Sequence, residues 1–404
     1  MRLRVIVPVV LVLAAVGGLV LGARLPSSAP AAAGGGAASN GANPGPSPSA
    51  SDGGGVTPPN TPTTRDIENY PIKKLKPGEK PPQFVVVSFD GACKHKLMQK
   101  YMALAKATNS HFTFFMSGLC LVPDQDRFDY HPPLKPVGSS AIGFADPTLV
   151  SGRITDWGQA YLDGNELGTH WLGHFCDTNG VGAWNSANWQ TEWDQVKYFL
   201  DDWQTVNKSN PSADMSLKLP YDSSDIHGDR TPCLAGKRSA MYPVFAKAGF
   251  TYDASGTGEL TWPKRIPSYN MWEFPLQTIK ILDWPGNRRQ LSMDYNLLYT
   301  QNDGKTTAPP AKCAAIQKSA YASFTAALQS VYNGNRAPFI VGNHFNTWVC
   351  DAYVNALTQF IQTSHATMPG VEFVSFEYLV KWLGAQSPAV IKEFQSRPAQ
   401  PYGA

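Results

Sequence analysis

The chain has 404 residues, 43% of them apolar and 11% aromatic, with a formal net charge of +3. This length and apolar share suit one large folded unit. The near-neutral balance gives no electrostatic footprint for nucleic acid, which is therefore not an expected partner.

Met1-Arg2-Leu3-Arg4 is a basic start, and residues 5–23 are uncharged and apolar throughout. The pattern fits a secretory signal or an uncleaved N-terminal membrane anchor, and either would place the remainder outside the membrane. Residues 24–80 follow as a linker, rich in Ala, Gly, Ser and Pro as far as residue 64. A segment with so few large apolar residues cannot bury a core. A single domain is expected over residues 81–390, with 391–404 as a tail. The six cysteines are Cys93, Cys120, Cys176, Cys233, Cys313 and Cys350. An even count in an exported chain predicts three disulfides, and without a C-x-x-C pair a cysteine metal site is not expected.

Within the domain, residues 83–89 (QFVVVSF) read as a strand buried on both faces, ending at Asp90-Gly91. Helical spacing covers 96–108, and a second strand covers 111–116. A helix over 156–164 precedes a strand over 166–170, and 188–206 is an amphipathic helix. A short strand near 227–232, a helix over 238–248, and strand-like pieces at 271–276 and 278–283 come next. The chain ends with a helix over 314–331, a strand over 338–344, a helix over 352–363, a strand over 371–375 and a helix over 376–383. This alternation predicts an α/β fold, a distorted (β/α) barrel of seven or eight parallel strands. Asp90, His170, Asp253 and His344 all fall at C-terminal ends of predicted strands, the face where such barrels place their active sites.

His170 and His174 are four residues apart, a spacing that puts two imidazoles on one face of a helical turn. Trp171 rules out the H-E-x-x-H protease pattern, which needs Glu there.

Taken together these stretches resemble the polysaccharide deacetylases, nearest their chitin-deacetylase-like branch, over about residues 84–383. Ser88-Phe89-Asp90-Gly91-Ala92 resembles the family's first motif, and the resemblance makes Asp90 the general base. Gly91 stands where the family has a metal-ligand aspartate. His170 and His174 match its metal-binding histidine pair. Arg230-Thr231-Pro232 matches the motif whose arginine orients the base, and Cys233 takes the place that supplies an oxyanion-binding N–H. Asp253 matches the acid that tunes the catalytic histidine, and His344 the general acid; Trp171 and Trp348 are expected near substrate.

The implied function is removal of N-acetyl groups from an extracellular N-acetylglucosamine polysaccharide of chitin or peptidoglycan type, by attack of a metal-bound water. The implied metal is divalent, zinc above others. With Gly91 in the motif, another residue such as Asp177 or His95 would complete the coordination, or water would fill the gap. The alternative is an inactive glycan-binding module of the same fold. A glycoside hydrolase using Asp90 and Asp253 leaves the histidine pair unexplained. The expected partners are the cell-wall or extracellular polysaccharide and, through an uncleaved N-terminal segment, a membrane; the protein is expected to act as a monomer. A closed barrel would pair Cys93 with Cys350 and Cys120 with Cys176, leaving Cys233 with Cys313.

Overall fold

The computed structural model describes residues 71–402. The apolar leader and most of the expected linker lie outside them. β1 Gln83–Gly91, α1 His95–Ala107, β2 Thr113–Met116 and α2 Val150–Leu162 come first. β3 Glu166–Thr169, α3 Ser186–Asp201, α4 Trp203–Val206, β4 Gly228–Asp229, α5 Arg238–Lys247 and β5 Tyr252–Asp253 follow. A strand-rich stretch gives β6 Thr257–Gly258, β7 Lys264–Ile266, β8 Met271–Glu273, β9 Leu276–Lys280 and β10 Arg289–Leu291. α6 Asp294–Asn302, α7 Pro310–Asn333, β11 Phe339–His344, α8 Trp348–Thr367, β12 Val371–Phe373, α9 Phe376–Ala385 and α10 Pro388–Ser396 complete the described chain. Among the described residues no helix is long and apolar enough to cross a membrane.

The main sheet runs β11-β1-β2-β3-β4-β5-β8-β7, with β12 also on β1. All its pairings are parallel except β7 with β8. The mixed α/β fold with a curled parallel sheet thus matches the pattern of alternation. β1 is its axis: Phe84 through Val87 and Phe89 are fully buried, which is why this strand reads as a continuous apolar run. Phe89 packs on Tyr101 of α1 at 4.1 Å between ring centroids and on Phe114 of β2 at 5.3 Å.

The far edge of β11 has no strand ladder beside it, yet its backbone is buried and must be satisfied. Side chains do most of this. Gln277 of β9 accepts from the Ile340 N–H at 3.0 Å and donates to the Pro338 carbonyl at 2.9 Å. Ser292 donates through its hydroxyl to the Ile340 carbonyl at 2.6 Å, and its backbone carbonyl accepts from the Gly342 N–H at 2.9 Å. A Cβ on Gly342 would lie 2.8 Å from the terminal methyl of Met293, so a larger residue here would require that flexible side chain to shift.

The three disulfides are Cys93–Cys120, Cys176–Cys233 and Cys313–Cys350. None of the expected pairings Cys93–Cys350, Cys120–Cys176 and Cys233–Cys313 forms. The first two bridges join loops after neighbouring strands, β1 to β2 and β3 to β4, and the third joins helices α7 and α8. The expected pairing used the same neighbour principle displaced by one strand.

Candidate active site

A cavity of about 330 Å³ opens at the C-terminal ends of the strands, lined among others by Asp90, Gly91, His170, His174, His344 and Trp348. Strand register sets the first pair. Asp90 of β1 lies directly across the ladder from His344 of β11. On the other side, Thr169 pairs with Asp229, so His170 and Arg230 leave adjacent strands together.

Asp90 is 4% exposed and accepts a 2.8 Å hydrogen bond from Nη1 of Arg230, itself fully buried. Arg230 is fixed in turn by the Ala254 carbonyl, to which its Nε donates at 3.2 Å, and by the Phe115 ring, 4.8 Å below its guanidinium. Burial opposes ionisation of Asp90, but the neighbouring charges, the Arg230 guanidinium first among them, outweigh it and hold the carboxyl below its ordinary value.

His344 behaves oppositely. Its Nδ1 donates to Oδ1 of Asp294 at 2.7 Å, and its backbone N–H donates to Oδ2 at 2.9 Å. Asn346 donates to the same Oδ2 at 2.7 Å, so the carboxylate is held on both oxygens. Burial works against the imidazolium, yet Asp294 prevails and raises the His344 pKa. A carboxyl biased toward its ionised form and an imidazole biased toward its protonated form therefore sit on neighbouring strands.

The acid on His344 is Asp294, not the expected Asp253. Asp253 is fully buried, accepts from the Ser255 N–H at 2.8 Å and the Tyr242 hydroxyl at 3.1 Å, and faces Arg238 at 3.5 Å. Its two-residue strand does end at the correct face, but its carboxylate serves these groups instead. Sequence reading missed Asp294 because it begins a helix in a stretch where no element was expected.

Trp171 is also corrected. It is 1% exposed, stacks on Phe245 at 5.2 Å, and donates its indole N–H to Asp229 at 2.9 Å. It is a core anchor for the histidine turn and does not line the cavity. Trp348 does line it. Cys233 is exposed and absent from the lining; its sulfur is bonded to Cys176, whose Sγ lies 3.6 Å from Nδ1 of His174.

The turn between His170 and His174 is not a helix, and both Trp171 and His174 have positive φ. A buried pair from elsewhere in the chain holds it. Glu192 of α3 accepts from the Leu172 N–H at 3.2 Å and from the Tyr130 hydroxyl at 2.9 Å, while that hydroxyl accepts from the Gly173 N–H at 3.0 Å. Burial pushes the Glu192 carboxyl up to about 7. Neither residue was anticipated; Glu192 sits on the apolar face of an amphipathic helix, where an acid is out of pattern.

The histidines suit a metal in donor chemistry. Nδ1 of His170 donates to the Arg230 carbonyl at 2.7 Å, which leaves Nε2 with its lone pair. Burial lowers both imidazole pKa values, that of His170 to about 3, so both are neutral. Their rings are 5.0 Å apart. Among the described residues, a Cβ at Gly91 would meet nothing within 4 Å, so the space where a side chain would stand is open. Asp177 is ion-paired with Lys135, and His95 with Asp156 at 2.8 Å; neither lines the cavity. His174, Cys176 and Cys233 present donor atoms within 4.8 Å of one another, but the disulfide occupies both sulfurs. The residues present thus fit a divalent ion through two imidazoles, with the remaining positions left to water or substrate.

No family model matches the chain, and no curated protein matches it. Solved structures do. A putative polysaccharide deacetylase from Mycobacterium smegmatis is 12% identical with a TM-score of 0.44, over 77% of this chain and 94% of that one. The Xyl-CE4 domain of a multidomain xylanase from the hindgut metagenome of Trinervitermes trinervoides is 13% identical with a TM-score of 0.39, over 75% and 92%. A CE4 family pseudoenzyme from Bacillus anthracis is 9% identical with a TM-score of 0.37, over 78% and 70%. Likeness at this level leaves the chemistry to be argued from the site itself.

Proposed function

We propose that this domain is a metal-dependent carbohydrate deacetylase that hydrolyses N-acetyl groups on an extracellular N-acetylglucosamine polysaccharide. The observation that carries the reading is the pair of oppositely tuned groups on adjacent strands, Asp90 with Arg230 and His344 with Asp294, beside two neutral histidines in one cavity.

Asp90 takes a proton from the attacking water. Arg230 keeps that carboxylate ionised and aimed at the cavity. His344 gives its proton to the departing sugar nitrogen as the acetyl C–N bond breaks, and Asp294 holds the imidazole in the tautomer and orientation this requires. Acetate and a free amine result. His170 and His174 would hold a divalent metal, zinc above others, which when bound supplies polarisation of the acetyl carbonyl and a lowered pKa for water. Three disulfides and the apolar leader support action outside the cell.

The test is acetate release from soluble chitin-type oligomers by the full chain, with zinc content measured alongside. Asp90→Asn is expected to lower the rate by about 10²–10⁴-fold while retaining glycan binding. A zinc-loaded parent that frees no acetate from chitin-type or peptidoglycan substrates would falsify the enzymatic reading. The second reading, a glycan-binding module without turnover, is favoured by one observation, the unfilled donor position at Gly91; binding without acetate would establish it.

A further inference from the structure

α6 carries more than Asp294. Tyr295 and Tyr299 are 43% and 46% exposed, and their four-residue spacing places them on one side of the helix. Their ring centroids are 4.9 Å apart. Tyr295 is also 6.0 Å from His344 and 6.2 Å from Trp348, and His344 is 6.0 Å from Trp348. A run of rings thus begins inside the cavity and continues outward onto the surface. Its outer member is seated: Gly304 has φ +74°, and a Cβ there would come within 2.8 Å of the Tyr299 ring.

The cavity, at about 330 Å³, lies at the small end of ligand sites and suits a single sugar unit. A polymer held there has to leave over a wall, and the aromatic run forms one. Apart from the catalytic His344, its side chains are aromatic rings without a charged group. Flat rings edged with hydroxyls match a neutral pyranose, which offers an apolar ring face and a hydroxylated rim.

We propose that Tyr295 and Tyr299 form a carbohydrate subsite that binds the sugar unit next to the one in the cavity. This rests on the reading of the cavity as a glycan site. Tyr299, remote from the reacting atoms, sets affinity for the chain; its ring is the functional part and its hydroxyl is secondary.

The test is calorimetric titration of the full chain carrying Asp90→Asn with N-acetylglucosamine and with its pentamer, adding Tyr299→Ala or Tyr299→Phe in turn. The pentamer is expected to bind more tightly than the monomer. Tyr299→Ala should weaken the pentamer about fivefold and leave the monomer unchanged, and Tyr299→Phe should restore pentamer binding. Thermal midpoints of the three proteins establish that each is folded. A pentamer that binds no better than the monomer overturns the subsite, as does an equal loss for both ligands or no effect of Tyr299→Ala. So does a dimer that dissociates on Tyr299→Ala, which would make the patch a self-association face. Acetate release by the parent separates the two readings. Acetate with no dependence on chain length removes the subsite alone; Tyr299-dependent pentamer binding without acetate removes the deacetylase reading alone.

Discussion

The two ends of the parallel sheet hold buried acids in opposite condition. At its C-terminal end, His170 lines the cavity with Asp90, a buried carboxylate kept ionised by the buried Arg230 guanidinium 2.8 Å away. At its N-terminal end, Glu166 is 2% exposed and lies close to a second acid, Glu377, whose backbone N–H donates to it at 2.9 Å. Tyr252 and Thr113 donate to Glu166 at 2.7 and 2.8 Å. Burial raises the Glu166 pKa, and the Glu377 charge raises it further. Both acids are buried and hydrogen-bonded. They differ in the charge of the nearest ionisable partner, which tips one carboxyl toward its ionised form and the other toward its neutral form.

The largest expected effect comes from removing the cation at the cavity end. Arg230→Met leaves Asp90 buried without its partner and is expected to cost about 3–5 kcal/mol in urea unfolding at neutral pH. Asp90→Asn on top of Arg230→Met should recover much of that loss; if it does not, Arg230 acts through packing on Phe115 instead.

Gly91→Asp should act next in size, in two directions. Its φ of +105° is strained for any side chain, so a destabilisation of about 1–3 kcal/mol is expected. Zinc affinity, read by chelator competition, should rise, because a carboxylate would enter open space at the vacant donor position. Unchanged affinity would show that the two histidines are not facing an ion there.

Asp294→Asn should move the alkaline limb of the rate profile to lower pH, since His344 then loses the charge that raises its pKa. The same pair has a stability signature. A raised folded value means that its contribution is fully present below the unfolded histidine pKa and fades as pH rises through the folded one. Thermal midpoints of parent and Asp294→Asn should therefore differ most in acid and converge in base. A pH-independent difference would reduce Asp294 to a purely structural cap on His344 and Asn346.

Glu166→Gln is the mildest change. The parent should lose stability as pH rises from the unfolded glutamate value through the raised folded value, because the native state retains a proton the unfolded chain gives up. Glutamine removes that loss at a cost of about 1 kcal/mol in acid, where one hydrogen bond is altered. Parallel pH profiles of parent and variant would place the dependence elsewhere, with Glu192 the next residue to replace.

Much of this was legible beforehand. The β-branched run at β1 specifies a strand buried on both faces, and acids or histidines at strand ends mark the catalytic face of a parallel sheet. Asp90, His170 and His344 follow from that rule, whereas Arg230 was expected only from the likeness of Arg230-Thr231-Pro232 to a family motif. Asp253 obeys the same rule and serves Tyr242 and Arg238 instead, because a two-residue strand gives no means of reading which way its side chain points. The longer helices were recovered where their apolar spacing was clear; α6, with mixed polar and aromatic residues, was passed over, and so was α10, which runs into the expected 391–404 tail.

By itself the sequence determined the alternation of strands and helices, the oxidised cysteines as a set, and the residue types gathered at the cavity, since each is encoded in local periodicity or position. Only the tertiary structure decided which partner each group meets. Cysteine pairing by neighbouring strands is satisfied by two arrangements one strand apart, and the geometry selects Cys93–Cys120 and Cys176–Cys233. Asp294 reaches His344 from fifty residues away because β11 needs a segment along its open edge, and the residues that satisfy that edge lead directly into α6. Such pairings depend on how the curled sheet closes, a property of the whole chain that no stretch of it carries.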